Sequence, residues 1–262
     1  MFRRRDVFIM KTVFITGATK NTGLEIARLF AEKGYSVALT GRDIINAENT
    51  AKKLSEEFGV KAVGYALDIT HIDDISKVFK AVEEEFGTID TFVANGAHLG
   101  VDRGFMNTIE SDFDEIIATN IKGTYYCCRA AAEIMKKHGS GSIVTMGSVQ
   151  ATGAVKGRCV YSMTKAAISA MVKNMAFELG RYNIRANNVV AGAIHTSRWD
   201  ELPEDVIKKR RSRYPLGRES TQREIANAVY YLGSELSTSV TGTDLTIDSG
   251  VLVCILPYEE EK

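Results

Sequence analysis

The stretch Thr12-Val13-Phe14-Ile15-Thr16-Gly17-Ala18-Thr19-Lys20-Asn21-Thr22-Gly23 decides the fold. A short apolar, β-branched run ends in a turn bearing two glycines, and a helical pattern opens directly behind it. Glycine in such a turn permits positive φ and lets the backbone come close to a ligand. The free N–H groups and the dipole at a helix start attract a phosphate. A purely structural strand-to-helix turn looks similar, so the meaning depends on the rest of the chain.

The remainder of the chain repeats the unit. Short apolar runs recur at 36–40, 61–66, 91–94, 142–146 and 185–190. Their brevity and branched content predict strands buried on both faces. Helical patterns lie between them, at 22–33, 45–58, 112–137 and 161–180. The clearest is Ile72, Ile75, Val78, Phe79, Val82 and Phe86, spaced as one face of a helix. Strand and helix in alternation predict an α/β, doubly wound Rossmann fold: a parallel sheet of about seven strands with helices on both faces.

No shift in composition marks a boundary, so residues 12–256 read as a single domain. Residues 1–11 read as an N-terminal extension, with Met10 as an alternative start, and 257–262 as an acidic tail. Arg3, Arg4 and Arg5 precede too short an apolar patch for a signal peptide. Residues 193–217 are irregular, holding Trp199, two prolines and the basic run Lys208 to Arg213. Ligands of doubly wound sheets bind at the carboxyl ends of the strands, so this segment is a candidate substrate lid. The competing reading of the basic run is one solvated helix face.

Composition removes several function classes. Lys plus Arg and Asp plus Glu both number 33, so net charge gives no case for nucleic acid or a membrane surface. A chain that is 45% hydrophobic and 25% charged is not disordered. No apolar run approaches the roughly 18 residues of a membrane span. Cys127, Cys128, Cys159 and Cys254 form no C-x-x-C pair, and adjacent Cys127 and Cys128 diverge on a helix, which is a poor start for zinc. Reduced, buried thiols and a cytoplasmic location are expected, with no metal.

Tyr161-Ser162-Met163-Thr164-Lys165 is the second constellation. Its spacing of four puts Tyr161 and Lys165 on one helix face. Lys165 can then lower the phenol pKa from about 10. A phenol tuned in this way exchanges a proton near neutrality. A bare surface Tyr–Lys pair has the same pattern. Upstream, Ser148 follows the fifth strand, where a hydroxyl can donate to a carbonyl oxygen at the same edge. Asn120 falls inside the helix expected over 112–137; asparagine is a middling helix former, so its place there invites a reason. The plain alternative is an asparagine facing solvent.

Taken together these residues resemble the short-chain dehydrogenase/reductase family over about residues 12–250, and its 3-oxoacyl-carrier-protein-reductase-like members in particular. The family's T-G-x-x-x-G-x-G motif is matched from Thr16 to Gly23. Further elements fall on Asp68-Ile69-Thr70, Ala94-Asn95-Gly96-Ala97 and Ala191-Gly192, the last followed by Thr196. The segment 240–248 resembles its last strand. The family's catalytic asparagine, serine, tyrosine and lysine fall in order on Asn120, Ser148, Tyr161 and Lys165. Three departures bear on cofactor geometry. Asn21 replaces a glycine, although asparagine tolerates left-handed backbone. Ala191 replaces a proline, and Gly96 and Ala97 exchange the usual small residues.

The resemblance implies hydride transfer between a nicotinamide and a carbonyl or secondary alcohol. Tyr161 would be the general acid/base, Lys165 would lower its pKa and hold the ribose, Ser148 would polarise the oxygen, and Asn120 would hold a relay water. Cofactor contacts are implied at Gly17, Thr19, Lys20, Asn21, Thr22, Gly23, Asp68, Ile69, Asn95, Gly96, Gly192, Ile194 and Thr196, as well as at Tyr161 and Lys165. At the end of the second strand Gly41 occupies the family's acidic position and Arg42 comes next. With Lys20 this resembles members that prefer NADP(H) over NAD(H). The counter-reading gives the acidic role to Asp43.

Substrate identity stays open among 3-oxoacyl thioesters, steroids, sugar or polyol ketones and small diketones. Trp199, His195, Gln150, Val155 and Cys159 are pocket candidates that read equally well as packing. An acyl carrier protein could meet Arg129, Lys136, Lys137 and the 208–213 run. Relatives pair the helices matching 112–137 and 161–180, and Val251 to Leu256 is an apolar end, so a homotetramer or homodimer is expected. The alternative to an enzyme is a nucleotide-binding redox sensor or regulatory protein of the same fold.

Overall fold

Each apolar run of the sequence becomes a strand: β1 (Thr12–Ile15), β2 (Ser36–Gly41), β3 (Ala62–Ala66), β4 (Thr91–Ala94), β5 (Gly141–Ser148) and β6 (Ile184–Ala191), with β7 (Asp244–Ile247) last. The computed structural model describes residues 10–101 and 103–254. Most of the expected N-terminal extension, the acidic tail 257–262, and Ile255 and Leu256 of the apolar end lie outside the described residues.

The strands form one parallel sheet in the order β3-β2-β1-β4-β5-β6-β7. Nine helices cover it among the described residues: α1 (Asn21–Glu32), α2 (Ile44–Phe58), α3 (Ile72–Phe86), α4 (Glu110–Ile117), α5 (Thr124–His138), α6 (Cys159–Leu179), α7 (Ser197–Asp200), α8 (Glu204–Arg211) and α9 (Gln222–Gly233).

Alternate side chains of each strand point to opposite faces, and both faces are apolar. Val13, Ile15, Val37, Leu39, Val144 and Val189 pack against α1, α2 and α9, through residues such as Phe30, Leu54 and Leu232. Phe14, Ala38, Phe92, Ile143 and Ala186 pack the other way, against α3 and α5. Parallel strands need a helix for each return crossover, so burial on both faces is the expected result. No helix among the described residues is long and apolar enough to cross a membrane.

Two expectations are corrected here. The single helix expected over 112–137 is α4, then a π-helical turn at Ala118–Gly123, then α5. A π turn adds a residue to the helical ring and redirects the side chains within it. Asn120 lies in that turn and is fully buried rather than facing solvent. Ser148 is the last residue of β5 rather than the first one beyond it. Cys127 and Cys128 are buried thiols as expected, whereas Cys159 and Cys254 are only half-buried. Burial drives the Cys127 thiol up and the Cys128 thiol up to about 12, which leaves both inert.

Phe14, Phe79 and Phe92 form a buried triangle under β1, with ring centroids 4.7, 5.3 and 5.7 Å apart. Phe14→Ala should therefore cost about 3–5 kcal/mol of unfolding free energy. Met106→Ala, at a side chain 87% exposed, should change it by less than about 0.5 kcal/mol. Urea unfolding followed by circular dichroism checks both.

Candidate active site

A cleft of about 820 Å³ opens along the carboxyl edge of the sheet. The chain leaves β1 toward β2 and β3 on one side and later continues from β4 outward on the other, so the connecting loops part above it. Of the residues singled out in the sequence for catalysis or cofactor binding, all but Asn120 line this cleft.

The turn after β1 is held by specific bonds. Gly17 has φ +63°, and its N–H donates to Thr40 Oγ1 at 3.2 Å. Asn95 Nδ2 donates to the carbonyls of Thr16 and Gly17 at 3.1 and 2.9 Å. A Cβ at Gly23 would lie 2.5 Å from both Asn95 Nδ2 and Gly17 O, so the clamp needs glycine there. Asn21 takes the left-handed conformation at φ +50°, the one expected of an asparagine replacing glycine. Helix α1 has no side-chain cap and no acidic residue in its first turn. Its first N–H groups are thus left for an anion, and the cradle fits a nucleotide diphosphate.

The far end of the cleft is cationic, with Lys20 and Arg42 in its lining. Asp43 is committed elsewhere: its side chain caps α2 by accepting the Asn46 N–H at 3.0 Å. A Cβ on Gly41 would stand 2.6 Å from Thr19 Cγ2. An acidic side chain at position 41 therefore requires Thr19 to move. Asp68 accepts from the Thr70 N–H and hydroxyl at 2.9 and 2.7 Å. Burial opposes its ionisation, but those two bonds together with the charges of His71 and Arg42 hold the carboxyl below the usual range. Ile69, Gly96, Gly192, Ile194 and Thr196 complete this part of the lining.

At the opposite end α6 brings Tyr161 and Lys165 against the end of β5. Ser148 lies close enough to the Tyr161 phenol to pull its pKa down. Lys165 is 3% exposed, and its Nζ donates to Met146 O at 2.7 Å, 5.5 Å from the Tyr161 ring centre. Burial pushes the Lys165 ammonium down to about 8. Burial also raises the Tyr161 phenol, against the opposing pull of Ser148 and the Arg158 charge. The expected lowering of the phenol by Lys165 is therefore outweighed here. The largest cause is burial of the phenol, and the Lys165 ammonium is bonded to a main-chain carbonyl.

Asn120 sits behind this wall. Its Oδ1 accepts from the His98 N–H at 2.7 Å, and its Nδ2 donates to His98 O at 2.9 Å and to Thr164 Oγ1 at 3.1 Å. It ties the loop after β4 to the helix carrying Tyr161. Its side-chain amide hydrogens are spent on that tie.

Of the pocket candidates, Gln150 and Trp199 line the cleft, whereas His195, Val155 and Cys159 are not in its lining. His98, Leu99, Glu115, Arg198 and Arg210 do line it and were not anticipated. No motif marks them, because they come from the loop after β4, from α4 and from the lid. Part of 193–217 lines the cleft, with Trp199 of α7 and Arg210 of α8 among its lining residues. The basic run divides there. The Arg210 guanidinium lies 5.4 Å from the centre of the Trp199 ring, and Arg211 donates to Glu219 at 2.8 and 2.9 Å. Glu219 also meets His195 Nδ1 at 2.7 Å, while His195 Nε2 meets Asp200 at 3.0 Å. The cations proposed for a carrier protein are engaged as well: Arg129 with Glu133, Lys137 with Glu83, and Lys136 over the Tyr182 ring. No cluster able to hold a metal ion occurs among the described residues.

Comparison with known proteins agrees with this geometry. A family model described as enoyl-(acyl carrier protein) reductase matches residues 17–252. The sorbose reductase of Candida albicans is 32% identical over 250 residues, covering 94% of this chain and 89% of that protein. The 3-oxoacyl-acyl-carrier-protein reductase of Thermotoga maritima is 34% identical over 245 residues, covering 93% and 98%. Among solved structures, an NAD+-bound xylitol dehydrogenase superposes with a TM-score of 0.87 at 26% identity, covering 92% of this chain and 98% of that one. The fold and the cleft define a nucleotide-binding oxidoreductase. The chain belongs to the short-chain dehydrogenase/reductase family, whose named relatives are reductases and dehydrogenases of carbonyl and alcohol groups.

The lid's ion cluster gives a pH dependence with a definite sign. The Glu219 bond raises His195 above its ordinary value, with burial opposing. Such a histidine stabilises most below its unfolded pKa and loses that share as pH rises through its folded value. Arg211 draws Glu219 down to about 2, against burial and helped by His195. Its share is present above the usual 4.5 and is lost as pH falls toward 2. The lid should therefore be held best at about pH 5–6. Limited proteolysis within residues 193–217 should speed up from pH 6 to pH 8. Glu219→Gln should be cut faster throughout, with that rise flattened.

Proposed function

We propose that this chain is an NADP(H)-preferring oxidoreductase that moves a hydride between the nicotinamide and a carbonyl or secondary alcohol, with Tyr161 as general acid/base. The observation that carries the reading is the convergence of Tyr161, Ser148 and buried Lys165 at one end of a nucleotide-sized cleft. The bound nicotinamide supplies or accepts the hydride. The chain's own groups manage the oxygen. The Ser148 hydroxyl and the Tyr161 phenol converge on one point, where a carbonyl oxygen gains a proton from Tyr161 as it becomes an alcohol. A phenol raised by burial holds that proton at neutral pH, and protonated Lys165 stabilises the phenolate left behind.

The preference for NADP(H) rests on Lys20 and Arg42 at the far end, on Asp43 spent as a helix cap, and on Thr19 closing position 41. A relative from Alternaria alternata is named an NADP-dependent mannitol dehydrogenase. The catalytic unit is residues 12–256, and it pairs with further copies of itself through the face of α5 and α6 that leaves Tyr125, Met163 and Phe177 exposed. All four side chains of the catalytic set are present, so a purely sensing role draws no support from the site.

Tyr161→Phe should reduce kcat by about 10²–10⁴-fold while NADPH fluorescence titration still shows binding. Arg42→Ala should raise the KM for NADPH about tenfold or more, with little change for NADH. Carbonyl reduction should hold steady at acid to neutral pH and decline above pH 8, as Lys165, with its ammonium near 8, gives up its charge. A wild-type preference for NADH, or full turnover by Tyr161→Phe, would overturn the assignment.

A further inference from the structure

One polar atom of the cleft wall is not used by the chemistry above. Gln150 lies in the short turn Val149–Ala151 directly behind β5. Its N–H donates to Ser148 Oγ at 3.2 Å, so its side chain starts beside the hydroxyl that meets the reacting oxygen. Gln150 lines the cleft together with Ser148, Tyr161 and Trp199. Its Oε1 is closed off from solvent and has no hydrogen-bond partner. It is the only buried side-chain oxygen or nitrogen in that condition among the described residues.

A buried acceptor without a donor is unfavourable, and native sites complete such groups. Several other polar side chains in or behind the cleft wall are already committed. Asn120 holds His98 and Thr164, and Asn95 holds the turn after β1. His98 Nδ1 accepts from the Gly100 N–H at 3.1 Å, and its Nε2 faces Glu115 at 3.2 Å. A donor carried into the cleft by a ligand would complete Oε1. Turning the Gln150 amide toward the cleft forfeits no hydrogen bond at Oε1.

We infer that Gln150 is a specificity-determining residue that takes a hydroxyl on the carbon next to the reacting one, so that the substrate class is hydroxy ketones and their vicinal diols. The inference rests on the hydride-transfer reading and narrows it. A hydroxyl both donates and accepts, so it satisfies the amide through its oxygen or, with the amide reversed, through its nitrogen. The 3-oxo carbon of an acyl thioester is flanked by CH2 groups, as is a typical ring ketone. Neither offers a donor at that place, and each would seal Oε1 further. Reduction adds a hydride from NADPH to the carbonyl carbon and a proton to its oxygen, which turns the hydroxy ketone into a diol.

The test uses a matched pair, 3-hydroxy-2-butanone and 2-butanone, with wild-type protein and the nearly isosteric Gln150→Met. Wild type should show kcat/KM about tenfold or more higher for the hydroxy ketone, because a site built for a hydroxyl rejects the analogue lacking it. In Gln150→Met the ratio should fall toward one, mostly through KM for the hydroxy ketone. A wild-type ratio near one, or a ratio unchanged by the substitution, overturns the inference. Thermal unfolding of the protein–NADP complex with 2,3-butanediol or 2-butanol separates this from failure of the hydride-transfer reading. If no carbonyl is turned over, that reading fails by itself. A larger shift with the diol in wild type, lost in Gln150→Met, still upholds the hydroxyl subsite. Equal shifts in both proteins overturn it.

Discussion

Strand β1 is hydrogen-bonded on both sides, to β2 and to β4, with Val13 in register with Val37 on one side and Thr91 on the other. Everything that matters at the site depends on this placement. A parallel sheet sends every strand's carboxyl end to the same edge. Because the chain runs outward from β1 in both directions, the loops above it separate. The glycine turn, the end of β5 and the start of α6 then face one another across a single cleft. A hairpin topology would have scattered them to two edges.

The cleft is built on contrasts of solvation. At the cofactor end, main-chain N–H groups at the start of α1 lack a cap and two cations stand in the lining. At the chemical end Lys165 is buried and Tyr161 half-buried, and loss of solvent shifts both against their charged forms. The Tyr161 shift retains a proton at the phenol, whereas the Lys165 shift brings the loss of its ammonium proton down to near pH 8. A buried ammonium is unfavourable unless it is hydrogen-bonded. The bond from Lys165 to Met146 O meets that need and ties α6 to β5. The same contact is therefore structural and functional.

Two asparagines act as braces. Asn95 holds the glycine turn, and Asn120 holds the loop after β4 against α6. The π turn around Asn120 interrupts what would otherwise be one long helix, and the interruption directs the side chain inward. Opposite them the lid is closed by charge rather than by apolar packing alone. Buried Glu219 gathers Arg211 and His195. A lid held by ionisable groups can respond to pH in a way the sheet cannot.

The alternation of short apolar runs with helical periods was enough to determine the sheet, its parallel sense and the layers on both faces, since each depends on local period and crossover length alone. Most of the cleft's lining was also legible, because the family's motifs sit at strand ends and on one helix face; Asn120 alone of those residues lies behind it. The break of the helix at Asn120 was not legible, because helical periodicity does not register one extra residue in a turn. The charge of the Tyr161 neighbourhood was not legible either. Sequence places Lys165 one turn from Tyr161, but only the packed structure turns its ammonium onto Met146 O and adds Arg158. The orphaned oxygen of Gln150, the clash that Thr19 would make with a side chain at position 41, and the His195–Glu219–Arg211 cluster all join residues far apart in the chain. Such contacts are decided by packing across elements, and no local pattern records them.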